Sequence, residues 1–105
     1  MSRLIKFKDT LLKDLKDSEY ARKYLSVALS EYEKDKDSVA FLTALRDVAE
    51  ARGGLTKLAK KAQLNRENLY KVLSSKGNPR LDTIEAVLHG LGFRLDVQSL
   101  KKKVG

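Results

Sequence analysis

Apolar residues recur at three- and four-residue spacing along most of this chain, the pattern of helices that each bury one face. The first instance is short. Thr10–Lys16 sets Leu11, Leu12 and Leu15 on one side, enough for a helical turn or two. Before it, Arg3–Lys8 (RLIKFK) alternates weakly and reads as a short strand or a loose arm. Glu19–Tyr32 then repeats Tyr20, Tyr24, Leu25, Ala28, Leu29 and Tyr32 at helical spacing, with Ser18 in the N-cap position. Glu33–Asp37 (EKDKD) is wholly charged and predicts a solvated bend between helices. Ser38 restarts the pattern as a second N-cap candidate. Val39–Arg52 places Phe41, Leu42, Leu45, Val48 and Ala49 on one face, leaving Arg46, Asp47 and Glu50 to solvent. Gly53-Gly54 ends that helix, because paired glycines accept left-handed backbone at little cost.

The most informative segment follows at Leu55–Leu73, LTKLAKKAQLNRENLYKVL. Leu55, Leu58, Ala59 and Ala62 form the apolar side of a two-turn helix. Ala59 is the small side chain that two steeply crossing helices need at their closest approach. Gln63–Leu64 makes the turn, with Leu64 plugging the gap. Asn65 is an N-cap for a second helix whose Leu69, Val72 and Leu73 point inward. Arg66, Glu67, Asn68, Tyr70 and Lys71 remain on exposed or partly exposed sides. Arg can fork onto guanine, Asn can pair with adenine, and Glu can accept from cytosine. Tyr70 suits a phosphate or a thymine methyl, and also the edge of the core. Lys57, Lys60, Lys61 and Lys71 suit phosphate contacts, which orient a protein on DNA but read no sequence. The plainer alternative is a helical hairpin with a basic solvent face.

Beyond it, SSKGNPR (74–80) predicts a rigid turn at Gly77-Asn78-Pro79, where Pro79 biases Asn78 away from helical geometry. Ser75, Lys76, Asn78 and Arg80 are candidates for the DNA backbone. Asp82 is read as the cap of Thr83–His89, with Glu85 completing a capping-box spacing. The N-terminus of that helix, and Thr83 through its hydroxyl, can meet a phosphate. Leu81, Ile84, Val87, Leu88 and Leu91 are core candidates, and Gly90 and Gly92 stop the helix. Phe93–Leu100 (FRLDVQSL) alternates strictly, with Phe93, Leu95 and Val97 apolar, and predicts a half-buried strand. A lone strand needs an edge to pair with, either the N-terminal arm (residues 3–8) or a partner subunit. Lys101–Lys103 forms a basic tail.

Charge sharpens this picture. The chain of 105 residues carries a net +8. Residues 1–53 hold 11 Lys/Arg against 10 Asp/Glu, whereas residues 54–105 hold 11 against 4. The positive field therefore coincides with the candidate recognition unit, which points to a polyanion partner. The length suits one modest core and leaves no room for a cofactor domain. The chain has no cysteine, hence neither disulfides nor a thiolate metal site. No apolar run approaches the roughly 18 residues that cross a bilayer, and residues 1–17 lack the features of a signal peptide. We expect a cytoplasmic protein without membrane contact. His89 is the single histidine, with no ligand cluster or nucleophile–base set around it, so metal, cofactor and enzymatic roles are not expected.

The residues from Phe41 to Val97 resemble the addiction-module antidote proteins, a HigA-type antitoxin branch of the lambda-repressor-like helix-turn-helix group. The resemblance lies in ALRDVA…RGG…LAK, NRENLYK, GNPRLDT and LGFRLDV, with SEYARKYLSVALSE ahead of them, and covers roughly residues 18–100. It implies a mainly α helix-turn-helix bundle with a short C-terminal β-strand: an arm and helix over 1–37, a helical core over 38–91 with the helix-turn-helix at 55–73, a strand over 93–100 and a basic tail over 101–105. It further implies a type II antitoxin that neutralises a small RelE-like toxin and, as a homodimer, binds and represses its own double-stranded operator. By position, Arg66, Glu67, Asn68 and Lys71 fall on the base-facing part of the recognition helix, and Thr56 and Lys57 near the phosphate-facing start of the preceding one. A regulator without a toxin, or a protein-interaction domain keeping the fold, are the competing readings. For the toxin, the candidate surface is residues 1–37 and one exposed edge of the fold, with Asp14, Asp17, Glu19, Glu31, Glu33, Asp35 and Asp37. Tyr20, Tyr24 and Tyr32 there are either core or anchors. The dimer is expected through the strand residues Phe93, Leu95 and Val97.

Overall fold

A computed structural model describes residues 3–74 and 78–100, with side chains from Phe7 onward. Among these residues the chain forms six helices: α1 (Arg3–Asp14), α2 (Ser18–Asp35), α3 (Ser38–Ala51), α4 (Gly54–Ala62), α5 (Arg66–Ser74) and α6 (Leu81–Gly90). While α6 packs against α4, the apolar stripes of α1, α2, α4 and α5 converge on α3. That helix buries Phe41, Leu42, Ala44, Leu45, Val48 and Ala49, and α1, α2, α4 and α5 all pack against it. Leu15 from the α1–α2 turn, Ala21 and Leu25 from α2, and Leu58, Ala59, Leu69, Leu73, Val87, Leu88 and Leu91 complete one continuous core. No polar or charged residue is buried among the described ones. Removing the apolar area from water is therefore the main stabilising term, about 1.5–3 kcal/mol for each fully buried aliphatic side chain.

The boundaries differ from the sequence expectation in instructive ways. Aspartates, not serines, cap α2 and α3. Asp17 accepts from the Tyr20 amide at 2.9 Å, and Asp37 accepts from the Val39 amide at 3.0 Å. Each carboxylate meets free N–H groups at the positive end of the helix dipole, so Ser18 and Ser38 become first helical residues. The charged linker shrinks accordingly. Glu33–Asp35 stays helical, and Lys36, at φ 59, turns the chain into Asp37. Residues 3–8 are neither strand nor arm but the start of α1. Leu81 is not core: it opens α6 at the surface, 73% exposed. Asp82 is not the cap either. Helix α6 starts one residue before it, with Arg80 at the cap position. Arg80 Nε donates to Asp82 Oδ1 at 3.1 Å, holding that carboxyl below its usual range.

The C-terminal strand is absent from the described residues. From Phe93 to Leu100 the chain is irregular, because the edge expected in residues 3–8 is helical and no described strand lies beside it. Its first residues are nonetheless tied down. The Phe93 amide donates to the Leu88 carbonyl at 2.8 Å, and the Arg52 guanidinium lies 5.9 Å from the centre of the Phe93 ring. Leu95 is 38% exposed and Val97 is 90% exposed, so the alternation of FRLDVQSL ends in solvent rather than in a sheet.

Two local features lock the helices together. Tyr24 on α2 donates its hydroxyl to Asp47 on α3 at 2.8 Å. Burial, reinforced by that carboxylate, raises the Tyr24 pKa well above the usual tyrosine range and keeps the phenol protonated. At the other end, Gly90 does not stop α6 but is its last residue, and Gly92, at φ 96, follows the Leu91 cap. A Cβ at Gly90 would lie 2.6 Å from Leu58 Cδ1 and 3.4 Å from the Ala62 backbone nitrogen, so its lack of a side chain sets how closely α6 approaches α4. Leu58 is buried and cannot swing away freely. We predict that Gly90→Val destabilises the fold by about 2–3 kcal/mol through overpacking. Urea unfolding checks this, and an unchanged midpoint would contradict the close-approach role.

Candidate nucleic-acid interface

The α4–turn–α5 unit is built as its sequence indicated. Leu58 and Ala59 of α4 are buried, with Leu55 and Ala62 half-buried beside them. Ala59 stands on the core side of the short α4 that α5 packs against, consistent with the need for a small side chain there. Gln63 turns the chain in left-handed geometry (φ 58, ψ 44), and its successor Leu64 donates its amide to the Ala59 carbonyl at 2.9 Å. Leu64 is half-buried against the core, the plug the turn calls for. Asn65 caps α5: its Oδ1 accepts from the Glu67 amide at 2.8 Å and from the Asn68 amide at 3.1 Å. Leu69 and Leu73 are buried and Val72 is half-buried, which fixes the outward face of α5 by the 3.6-residue period.

That outward face centres on Glu67 and Lys71, one turn apart, with Tyr70 beside them at 56% exposure. Arg66 and Asn68 lie on opposite flanks of the same helix, both exposed. Arg66 is oriented by the preceding helix: its Nε donates to Thr56 Oγ1 at 2.9 Å, which leaves the two terminal guanidinium nitrogens as the free fork. A predicted base reader and a predicted phosphate contact are thus joined across the turn. Tyr70, expected at phosphate, shares the outward face with the predicted base readers. Exposed, charged and polar groups on a helix held rigidly from behind are the chemistry that groove reading requires.

The predicted phosphate contacts do not form one group. Thr56 meets α5 through Arg66, and Lys60 lies exposed one turn on in the same helical row. Lys57 and Lys61, one helical row further round, line a different cleft with Lys16, Arg52 and His89. Arg80 is exposed but its guanidinium engages Asp82 through two contacts of 3.1 Å. Asn78 lines an apolar groove with Leu29, Phe41 and Leu81 rather than joining a basic patch. Thr83 is half-buried in the first turn of α6. Ser75 and Lys76 lie outside the described residues, as does the lysine tail. Of the predicted dimer residues, Phe93 and Leu95 border a second groove with Arg22 and Leu25, and Val97 projects into solvent. Sequence reasoning missed the clustering of Lys16, Arg52 and His89, and no local signal marks it, since these residues are 36 and 37 positions apart. Among the described residues no group of three or more His, Cys, Asp or Glu is placed to hold a metal ion. None of the helices is long and apolar enough to cross a membrane.

Comparison with known proteins adds an independent line. Residues 5–99 match a protein family described as "Probable addiction module antidote protein". A Haemophilus influenzae (strain Rd) protein described as uncharacterized is 34% identical over 89 residues, covering 83% of this chain and 91% of that protein. No solved structure matches the chain.

The turn geometry makes two opposite predictions for its neighbouring residues. Asn65→Ala removes the acceptor of two helix-end amides and should cost about 1 kcal/mol. Gln63→Gly relieves about 1–2 kcal/mol of left-handed strain against a gain of about 0.4–1 kcal/mol in unfolded-chain freedom, so it should stabilise by about 0.5 kcal/mol. Paired denaturant melts read both signs.

Proposed function

Because the chain belongs to the addiction module antidote protein family, we propose that it is the DNA-binding antitoxin of a type II toxin–antitoxin module. Family membership supports an antitoxin role and a toxin partner. The finer reading is ours: the partner is a RelE-like toxin, the fold is a lambda-repressor-like, HigA-type helix-turn-helix, and the protein represses its own operon from the cytoplasm by binding alone, without catalysis or cofactor. The observation that carries the DNA-binding part is the Asn65-capped α5, which presents Arg66, Glu67, Asn68, Tyr70 and Lys71 outward from a buried Leu69/Leu73 stripe.

In this reading α5 enters the major groove. The free fork of Arg66 meets guanine, Asn68 pairs with adenine, Lys71 donates to base-edge acceptors at the centre of the face, and Glu67 receives a cytosine amino group. Lys60 and Thr56 hold the flanking phosphates and set the register. The net positive charge of residues 54–105 steers the encounter. One such helix reads only a few base pairs, so a homodimer spanning two half-sites about one helical turn apart supplies the rest of the specificity.

The toxin, by the same reasoning, meets the opposite and more balanced half. Exposed carboxylates of α2, Glu33 and, once exchanged from their surface pairs with Lys34 and Arg22, Glu31 and Glu19, offer complementary charge to a basic nuclease. Tyr20 is the tyrosine available as an anchor, at 43% exposure, whereas Tyr24 is engaged with Asp47 and Tyr32 lies under Lys36. Leu15, Ala21 and Leu25 of the same segment belong to the core, so point substitutions on its exposed side probe this surface.

Two experiments test the proposal. Titration against the DNA immediately upstream of the reading frame and a scrambled duplex, at two salt concentrations, should show sequence-preferring, salt-sensitive binding. Arg66→Ala or Lys71→Ala should then cost about 1–3 kcal/mol on the upstream DNA only. Equal weak binding to both duplexes would reduce the basic half to general electrostatics. For the toxin arm, Glu31→Lys/Glu33→Lys should weaken co-purification with the product of the adjacent toxin gene at least tenfold while leaving DNA binding intact. Undiminished capture would move the toxin contact off α2.

A further inference from the structure

The cations of α4 divide between two faces, and only one of them belongs to the recognition unit. Thr56 borders α5, where it holds Arg66, and Lys60 follows one turn on in the same helical row. Lys57 and Lys61 are the next helical row, and they open onto a cleft of about 480 Å³ whose other walls are Lys16 from the α1–α2 turn, Arg52 from the end of α3 and His89 from α6. Five basic side chains thus arrive from four separate parts of the fold. No carboxylate lines the cleft, and among the described residues none of the five forms an ion pair. Elsewhere some surface cations do have a carboxylate within reach, as Lys8 has Glu50 at 3.3 Å and Arg22 has Glu19 at 2.7 Å.

The cleft is also held in shape. Arg52 donates from Nη1 to the Lys16 carbonyl at 3.3 Å while its guanidinium covers the Phe93 ring. It is therefore a brace that keeps the α1–α2 turn and the C-terminal segment in place, and the lysines supply most of the accessible charge. Gly90, whose missing side chain lets α6 close on Leu58 of α4, lies in the wall beside His89 and so brings that wall close to Lys57 and Lys61. Like charges gathered without counter-groups are held apart only by solvent, and an anion that bridges them gains attraction to each. Lysine acts as a point charge toward phosphate and demands no planar partner.

We infer that the Lys16–Lys57–Lys61–His89 cleft is a second nucleic-acid contact, taking backbone phosphodiesters that flank the segment read by α5. The exposed arc of α4 runs without interruption from Thr56 and Lys60 to Lys57 and Lys61, so one strand can be followed from the recognition face into the cleft. The cleft contributes affinity and salt dependence but no sequence preference. This inference rests on the DNA-binding reading above, and the test separates the two.

The experiment is fluorescence anisotropy with the full chain and a labelled duplex of the DNA upstream of its reading frame, extended past the preferred segment, between about 50 and 200 mM salt. Variants are Lys16→Ala, Lys61→Ala and the double, with Lys23→Ala on the exposed side of α2 as a control for net charge and Arg66→Ala for sequence reading. Each cleft variant should lower the magnitude of the salt slope by about 0.9, and the double by about 1.8, with the ratio of upstream to scrambled affinity unchanged. Lys23→Ala should leave the slope as it is. Wild-type slopes in both cleft variants, alongside lost sequence preference in Arg66→Ala, would overturn the cleft while the DNA-binding reading stands. Absence of any wild-type binding would overturn both. Wild-type DNA slopes together with weakened binding of poly-glutamate in Lys16→Ala/Lys61→Ala would also overturn it, and would assign the cleft to an acidic polypeptide.

Discussion

The burial of one broad face of α3 is the constraint on which the rest of this structure depends. That face must hide Phe41, Leu42, Ala44, Leu45, Val48 and Ala49, and four other helices supply its cover while Val39, Ala40 and Glu50 stay at the surface. Their positions follow from that demand. α2 folds back on it through the two-residue turn at Lys36–Asp37, and α1 reaches it with Leu15 behind. α4 and α5 dock on its other side as a pair, which is why so short a pair is rigid. Nine residues make too little helix to stand alone in water.

That rigidity is what the candidate interface uses. A groove-reading helix must hold its side chains at fixed spacing without help from the ligand, and α5 is held at three points: the Leu69/Leu73 stripe, the Asn65 cap and the Thr56–Arg66 bond. The polar groups are left outward because the apolar ones have been spent inward. The same division operates on α4, where the buried Leu58 and Ala59 force the lysines into one exposed arc. The basic surface is thus a consequence of packing as much as of composition.

The first half of the chain obeys different electrostatics. Its acids and bases nearly balance, and several pair at short range on the helix surface, as Glu19 with Arg22 and Glu31 with Lys34. Such exposed pairs add little stability, but they keep this side from competing for a polyanion.

Much of this was legible in the sequence. The helical spacing of Phe41, Leu42, Leu45 and Val48, the Ala59–Leu64–Asn65 order and the inward Leu69, Val72 and Leu73 are local patterns, and local patterns survive folding when the core demands the same faces. The charge split between the halves needed only counting. What the sequence left open, or misdirected, depended on partners distant along the chain. FRLDVQSL alternates as a strand does, yet a strand exists only where another edge offers hydrogen bonds, and residues 3–8 joined a helix instead. Serines at helix starts looked like caps until the neighbouring aspartates, with full negative charge at the dipole's positive end, took the amides. Leu81 fitted an apolar period but lies at a helix start beyond the reach of the core. The cleft of Lys16, Arg52, Lys57, Lys61 and His89 has no linear signature at all. Periodicity fixes which face of each helix turns inward; only the packing of helix against helix decides which outward side chains become neighbours.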